Sequence, residues 1–498
     1  MISPSFSLFD PAFQQAARIQ RREISAVQLV EAHLEQIARH NPHINAVVIL
    51  LAEQALEQAW LADKAQETGQ ALGPLHGVPI TVKESWDVAG LPSTFGLPHL
   101  RDNIAGNDAL AVTRLKQAGA ILLGKTNVPP NLADWQTCHP DYGATLNPWD
   151  NQRTPGGSSG GSAAALACGF SALEIGSDIG GSIRMPAHYC GVWGHKPGYG
   201  VIPGRGHAQP GHVAPADISV FGPLSRSAGD LRLALDLLAQ PDPHSWPRMQ
   251  AILDDARPRH GTHFRVALWN DDPHFPVSSE IRLALEQAGE SLRRAGIEVV
   301  DTVRPAFSSR ESYEVYVQLL RAATSGRQSD EAFSRHQQLR DNLVDDDASY
   351  RALLLRGNVL SHRQWLALNQ QRYRLMAAWQ AFFDQVDFLL CPVASTAAFP
   401  LFNNLPKEDR YLTVDGRTLP SANDYFWLGL ASACGLPATT VPLMRTATGL
   451  PVGAQIIGRS GADRACIALA EILEHHHYRF APPPLDAAQS GLSSGADD

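Results

Sequence analysis

Two glycine and serine turns separated by one short helical segment constrain this chain more than any other feature. The first is Gly156-Gly157-Ser158-Ser159-Gly160-Gly161, the helix former is Ser162 to Gly169, and the second is Gly176-Ser177-Asp178-Ile179-Gly180-Gly181-Ser182-Ile183-Arg184. The first turn contains overlapping G-x-S-x-G patterns, the nucleophile elbow of α/β-hydrolases, but an elbow follows a buried strand. Here Asn151 to Pro155 precedes it, polar and closed by proline. A slack linker fits no better between that proline and a good helix. Glycines permit positive φ and close backbone approach, and the helix start presents unpaired N–H groups to the loop. In Ile179-Gly180-Gly181-Ser182, consecutive unhindered amides beside a hydroxyl can cradle an anion, as an acyl-transfer oxyanion requires. A serine hydroxyl at its ordinary pKa is a poor nucleophile and needs a base. The local polar groups are serine, threonine and lysine, with histidine only at His188 and His195.

The rest of the chain alternates helix and strand. Ser25-x-x-Gln28 is a capping box that starts a helix to His40, with Val27, Val30, Leu34 and Ile37 on one face. Gly77 to Lys83 reads as a strand with Val78, Ile80 and Val82 on one side and Lys83 on the other. A helix over 108–119 precedes a buried strand over 120–123. Strand 264–269, helix 279–295 and strand 297–303 form a βαβ-like unit that implies parallel pairing. Further strands are expected over 388–391, 438–443 and 451–457, the last two joined by a turn at Thr448-Gly449, and a packed helix over 361–383. The pattern favours one large α/β domain. Gly119 to Thr126 matches the phosphate-loop pattern, yet its middle, Ala120 to Leu123, is strand-like and prolines 129 and 130 oppose the helix that should follow.

Composition narrows the partners. The net charge over 498 residues is −9 and no block of lysine and arginine occurs, which argues against a nucleic-acid surface. No apolar run reaches the roughly 18 residues of a membrane span. The start lacks a basic segment followed by an apolar one, so no signal peptide is expected. The six cysteines form no C-x-x-C, which suits reduced thiols in a cytoplasmic protein. Cys138-His139 and His475-His476-His477 are read as structural or solvated residues, not as a thiol nucleophile or a metal site. Asp141 and Tyr142 either line the site or pack their loop.

Taken together, Gly156 to Ser162, Gly176 to Arg184, Pro186-Ala187, Cys190-Gly191 and Lys196-Pro197 resemble the signature of the amidase signature family of serine hydrolases. Matches extend to Gly73 to Lys83, Gly124 to Asn127, Asn147-Pro148, Gly222 to Leu224 and Pro451 to Gly458, so the resemblance spans about residues 25 to 460. It implies an α/β/α fold with a central twisted mixed β-sheet covered by helices, as one catalytic domain over 1–480 with a flexible tail over 481–498. It also implies a Ser–Ser–Lys triad. Ser182 is then the acylated nucleophile, Ser158 the bridging serine after a cis peptide bond, and Lys83 the base. Ser159 is chemically identical to Ser158, and spacing alone chooses between them. The N–H groups of Ile179, Gly180, Gly181 and Ser182 form the oxyanion hole, while Asp178 and Arg184 brace the turn. Lys83 must be neutral to act, which burial can supply.

The expected activity is cleavage of a small-molecule amide, or of an ester or carbamate, through a Ser182 acyl-enzyme, with no metal or cofactor, and it is compatible with a homodimer. The alternatives are an amidotransferase A-type subunit that releases ammonia from glutamine for a partner, and a non-catalytic binding protein. Met185, His195 and Gly198 depart from the subunit pattern or lie near its core. Specificity is expected from the stretch 241–424 and from loops at Trp86, Trp135 and Tyr425-Phe426-Trp427.

Overall fold

The computed structural model describes residues 6–70, 72–244, 253–259, 263–344, 346–402 and 405–485. Most of the tail expected from residue 481 thus lies outside the described residues. Its centre is an eight-stranded mixed sheet. Across it run Glu298–Val300, Arg265–Leu268, Phe388–Pro392, Pro451–Gly458, Ala438–Arg445, Trp193–Lys196, Val220–Ser225 and Leu173–Asp178. The first three strands pair in parallel, and every later pair is antiparallel. The βαβ unit is present, its crossover helix being Ser279–Arg294, whose buried face is Ile281, Ala284, Leu285, Ala288 and Leu292. Ala438–Arg445 and Pro451–Gly458 form the expected hairpin, with Gly449 at φ +87° in its turn. No helix among the described residues is long and apolar enough to cross a membrane.

Local signals set several boundaries. Ser25 caps Ala26–Ile44 through the anticipated box, its side chain accepting the Gln28 N–H while the Gln28 side chain accepts the Ser25 N–H. Ser361 and Gln364 repeat the device at the start of His362–Phe383, which buries Leu368, Leu375, Trp379, Phe382 and Phe383.

A second, three-stranded sheet carries the lysine. In it Ile121–Thr126 lies between Val47–Leu50, antiparallel, and Pro79–Lys83, parallel, with Lys83 opposite Thr126. The phosphate-loop look-alike is therefore mostly the middle strand of this sheet. Its Lys125 is buried and donates to Ser93 Oγ at 3.1 Å and to the Pro92 carbonyl, leaving no loop to hold phosphate.

Both faces of Pro79–Lys83 are buried, the polar one as fully as the apolar one. Alternation identifies the side on which Lys83 lies but not what covers it. The cover is the pair of Gly/Ser turns with the edge strand Leu173–Asp178: Thr81 Oγ1 donates to Ser171 Oγ at 2.9 Å, and Lys83 reaches Ser158 and Ser177. Between the turns, the helix is Gly160–Ala167, buried along its whole length and starting two residues before the expected Ser162. Gly161 fits there because a Cβ would collide with the backbone of Asn127.

Candidate active site

The two turns converge. The Ser159 N–H donates to the Ser182 carbonyl at 3.1 Å, so the loop before the short helix is tied to the loop after the strand. The peptide bond Gly157–Ser158 is cis. Ser158 Oγ lies 2.6 Å from Lys83 Nζ, and Lys83 also donates to Ser177 Oγ at 3.0 Å. Ser159 Oγ is buried without a partner among the described residues. Spacing cannot separate two adjacent, chemically equivalent serines by their chemistry; the lysine contacts only Ser158 of the pair. Ser177 belongs to the second turn, and its sequence context signals no role for it. It lies one residue before Asp178 on the same strand, and alternation turns it to the opposite face, toward Lys83.

Lys83 is fully buried. Burial pushes its ammonium down to about 7, against the opposing pull of Asp178 and Glu174, with Arg327 adding to the fall. The nearby acids are otherwise engaged. Burial holds the Glu174 carboxyl up at about 7, and it accepts from Thr126 Oγ1 at 2.8 Å and the Ile175 N–H at 3.0 Å. Burial would raise Asp178 too, but the Arg184 guanidinium beside it keeps it down at about 2. Lys83 Nζ bonds to the hydroxyls of Ser158 and Ser177 and, among the described residues, to no carboxylate, so no ion pair opposes its neutral form.

Asp178 and Arg184 build the second turn. Arg184 donates to Asp178 through Nε at 3.1 Å and Nη2 at 3.0 Å, and to the Leu428 carbonyl, Gln455 Oε1 and Ser432 Oγ. Asp178 in return accepts the N–H groups of Gly181 at 2.9 Å and Ile183 at 3.1 Å. Gly181 has φ +93°, and a Cβ there would meet Leu428 Cδ1 at 2.5 Å. Its N–H is thus committed to Asp178. Among the described residues, the N–H groups of Ile179, Gly180 and Ser182 have no such acceptor. Two aromatic side chains orient this stretch: Tyr316 Oη donates to the Ile179 carbonyl and Trp135 Nε1 to the Gly180 carbonyl, each at 2.8 Å. A trans peptide points its N–H opposite to its carbonyl, so Tyr316 aims the Gly180 N–H away from itself.

Ser182 opens into a cavity of about 200 Å³ that is also lined by Trp135, Ile179, Gly180, Leu320, Arg321, Arg327, Lys407 and Tyr425. Trp135 and Tyr425 were expected near the site and are there, their rings 4.5 Å apart. Trp86, Phe426 and Trp427 are instead core residues; Trp86 donates to the Ile175 carbonyl and Trp427 to the Phe275 carbonyl. The stretch 241–424 contributes to the cavity as expected, chiefly through the end of helix Ser309–Ser325 and the loop after it. Sequence reasoning missed the individual residues there. Arg321 and Thr324 lie three residues apart on a helix whose other positions bury Tyr313, Tyr316, Val317 and Leu320, with Gln328 four residues further on in the loop that follows, and that spacing was a usable signal.

Other expectations resolve into structure. Asp141 pairs with Arg101 and, with Tyr142, lines a separate surface pocket. His195 and Gly198 converge on Asp463, through the His195 ring at 3.3 Å and the Gly198 N–H at 2.8 Å, and Met185 is a core side chain. Of the six free cysteines only Cys138 is exposed, and burial pushes its thiol up, away from the reactive form. The described residues hold no cluster of three or more His, Cys, Asp or Glu side chains suited to a metal ion.

The chain is similar to known proteins over most of its length. The Amidase family model matches residues 28–467. An indoleacetamide hydrolase of Bradyrhizobium diazoefficiens is 36% identical over 93% of this chain and 85% of its own. The A-type subunit of a glutamyl-tRNA(Gln) amidotransferase from a Synechococcus strain is 30% identical over 94% of this chain and 96% of its own. The crystal structure of a bacterial aryl acylamidase of the amidase signature family superposes with a TM-score of 0.77 at 26% identity, covering 94% of this chain and 96% of that one. A lysine that among the described residues hydrogen-bonds only to hydroxyls, a cis Gly–Ser bond, the arginine-braced turn and these similarities lead to one conclusion: the chain belongs to the amidase signature family of hydrolases.

Proposed function

We propose that this protein hydrolyses a carboxylic amide through an acyl-enzyme on Ser182. The observation that carries the reading is the buried Lys83 Nζ at 2.6 Å from Ser158 Oγ, held near neutrality by burial and given no carboxylate partner. In the reaction, Ser182 Oγ attacks the amide carbonyl while its proton passes to Ser158, whose own proton passes to Lys83. The tetrahedral oxyanion is received at Ile179, Gly180 and Gly181. There the uncommitted N–H groups of Ile179, Gly180 and Ser182 are the donors, and Gly181 turns the chain under the hold of Asp178. Collapse expels the amine, which takes the relayed proton, and water attacks the acyl group by the reverse path to free the acid and regenerate Ser182.

The relatives support an amide substrate, and the cavity of about 200 Å³ has room for an acyl or aryl group beside Ser182. The test is kcat/KM over aryl anilides, aliphatic amides, peptide amides, fatty acid amides and aryl carbamates, with L-glutamine included. Amide turnover that disappears in Ser182→Ala is the expected result. Cleavage of esters alone would overturn the amidase reading. Glutamine hydrolysis that depends on a co-purifying partner would favour the amidotransferase reading.

A further inference from the structure

On a chain of net charge −9, the cavity beside Ser182 gathers three basic side chains, Arg321, Arg327 and Lys407, and one acid, Asp134. The acid is already spent: both its oxygens accept from Arg410, at 2.6 and 2.8 Å. Among the described residues neither Arg321 nor Arg327 forms an ion pair. Glu408 influences Arg321 only at a distance. A guanidinium carries five N–H donors. Arg321 gives one bond, to the Tyr350 hydroxyl, and lies 5.5 Å from that ring's centre and 6.0 Å from the centre of Tyr425; its Nε is buried with no acceptor. Arg327 gives one, to the Asn131 carbonyl at 3.2 Å. Lys407 stands 3.5 Å over the centre of the Trp135 ring and donates to Tyr425 Oη at 2.7 Å.

A purely structural role accounts for part of this. Arg321 packs on tyrosines, and Arg327, just past the end of helix Ser309–Ser325, suits the negative end of the helix dipole. Packing and dipole do not supply acceptors. The buried Arg321 Nε left without an acceptor costs free energy that a ligand carboxylate, with one oxygen there and the other free for Arg327, would return. An anion here would also lie in the same cavity as the nucleophile, within the length of a small molecule.

We propose that the substrate carries a carboxylate, received by the guanidinium groups of Arg321 and Arg327 in the cavity that Ser182 opens into, with Trp135 and Tyr425 flanking the short carbon skeleton. The inference rests on the amidase reading for the word substrate, but the anion site stands on its own residues. The carboxylate can belong to either half of the amide: to the acyl part, as in the half-amide of a dicarboxylic acid, or to the leaving amine, as in an N-acyl amino acid.

Binding and turnover separate these claims. Ser182→Ala protein, which cannot turn over, is titrated calorimetrically with 4-carbamoylbenzoate and succinamate against benzamide and butyramide. At least about tenfold tighter binding of the carboxylates is expected, the scale of a charge-assisted bond. That preference should shrink severalfold on adding Arg327→Gln or Arg321→Gln, and partly return with Arg327→Lys, each variant checked for native circular dichroism. Equal affinities, no binding of either carboxylate at millimolar concentration, or a preference that survives both glutamine variants would overturn the anion site. Wild-type kcat/KM for those half-amides and for N-acetyl-4-aminobenzoate against acetanilide then shows which half carries the charge. Carboxylates that bind while no amide is cleaved would sink the amidase reading and leave the anion site standing. Neutral amides cleaved as well as their carboxylate counterparts in both arms would do the reverse.

Discussion

The site has two walls of opposite construction. One, from Gly156 to Arg184, buries Lys83 among hydroxyls and settles each buried charge inside the fold: Arg184 has Asp178, and Glu174 is held by Thr126 and a backbone N–H. The other, from residues 320–328 and 407–425, leaves the buried Arg321 Nε without an acceptor among the described residues, beside the rings of Tyr350 and Tyr425. The first wall pairs its buried charges inside the fold, whereas in the second Arg321 forms no ion pair among the described residues and its Nε is buried with no acceptor. Under the proposed mechanism, bond-breaking belongs to the first wall and choice of substrate to the second.

The largest expected effect breaks the degeneracy between adjacent serines in the first wall. Ser158→Ala should lower kcat by about 10²- to 10⁴-fold, the usual worth of a positioned proton relay. Ser159→Ala, which removes a hydroxyl with no partner among the described residues, should cost far less. Comparable losses would remove the relay role from Ser158.

Arg184→Ala comes next. It strands the fully buried Asp178 and should destabilise the fold by about 3 to 5 kcal/mol, read from denaturant unfolding. A loss below about 1 kcal/mol would show that the turn does not depend on this pair.

Lys83 links stability to pH. Its pKa falls from 10.5 in the unfolded chain to about 7 in the fold. Between those values the unfolded chain binds the extra proton, so this residue's contribution to stability improves as pH rises across the window and is at its worst below about 7. Lys83→Met should therefore gain in Tm over the wild type more at pH 6 than at pH 10. A gain independent of pH would mean that the lysine is charged in the fold.

The smallest effect tests the join between the walls. Tyr316→Phe removes the hydroxyl that holds the Ile179 carbonyl, and should lower kcat by up to about tenfold with little change in KM, the scale of one hydrogen bond. A change confined to KM would place Tyr316 in substrate binding instead.

The first wall was legible because its chemistry is written over a short span. Ser158, Ser182 and the glycines around them sit at fixed offsets about one helix, and Lys83 ends a strand whose alternation reveals its side. What alternation could not supply is the second layer: Lys83 is buried because a sheet edge more than ninety residues later, at Ser177, closes over it. The helix start was misplaced by two residues because glycines are poor helix formers by propensity. Here the backbone of Asn127 presses on Gly161 and admits nothing larger. Trp86, Phe426 and Trp427 illustrate the opposite error, since aromatics suit a core as well as a pocket. The second wall was least legible. Arg321 and Lys407 are 86 residues apart and meet only through Tyr425, and Tyr350 adds a third segment. Nothing in the local sequence of any one segment announces that contact.

The central claim is that neutral Lys83, through Ser158, activates Ser182. It is tested most directly by the pH dependence of covalent labelling by a fluorophosphonate, with the modified residue located by mass spectrometry. The account predicts a single adduct on Ser182, a labelling rate that climbs with pH through about 7 and then levels, and near-complete loss of labelling in Lys83→Ala. An adduct that persists in Ser182→Ala, or a Ser182 labelling rate unchanged by Lys83→Ala, would contradict it.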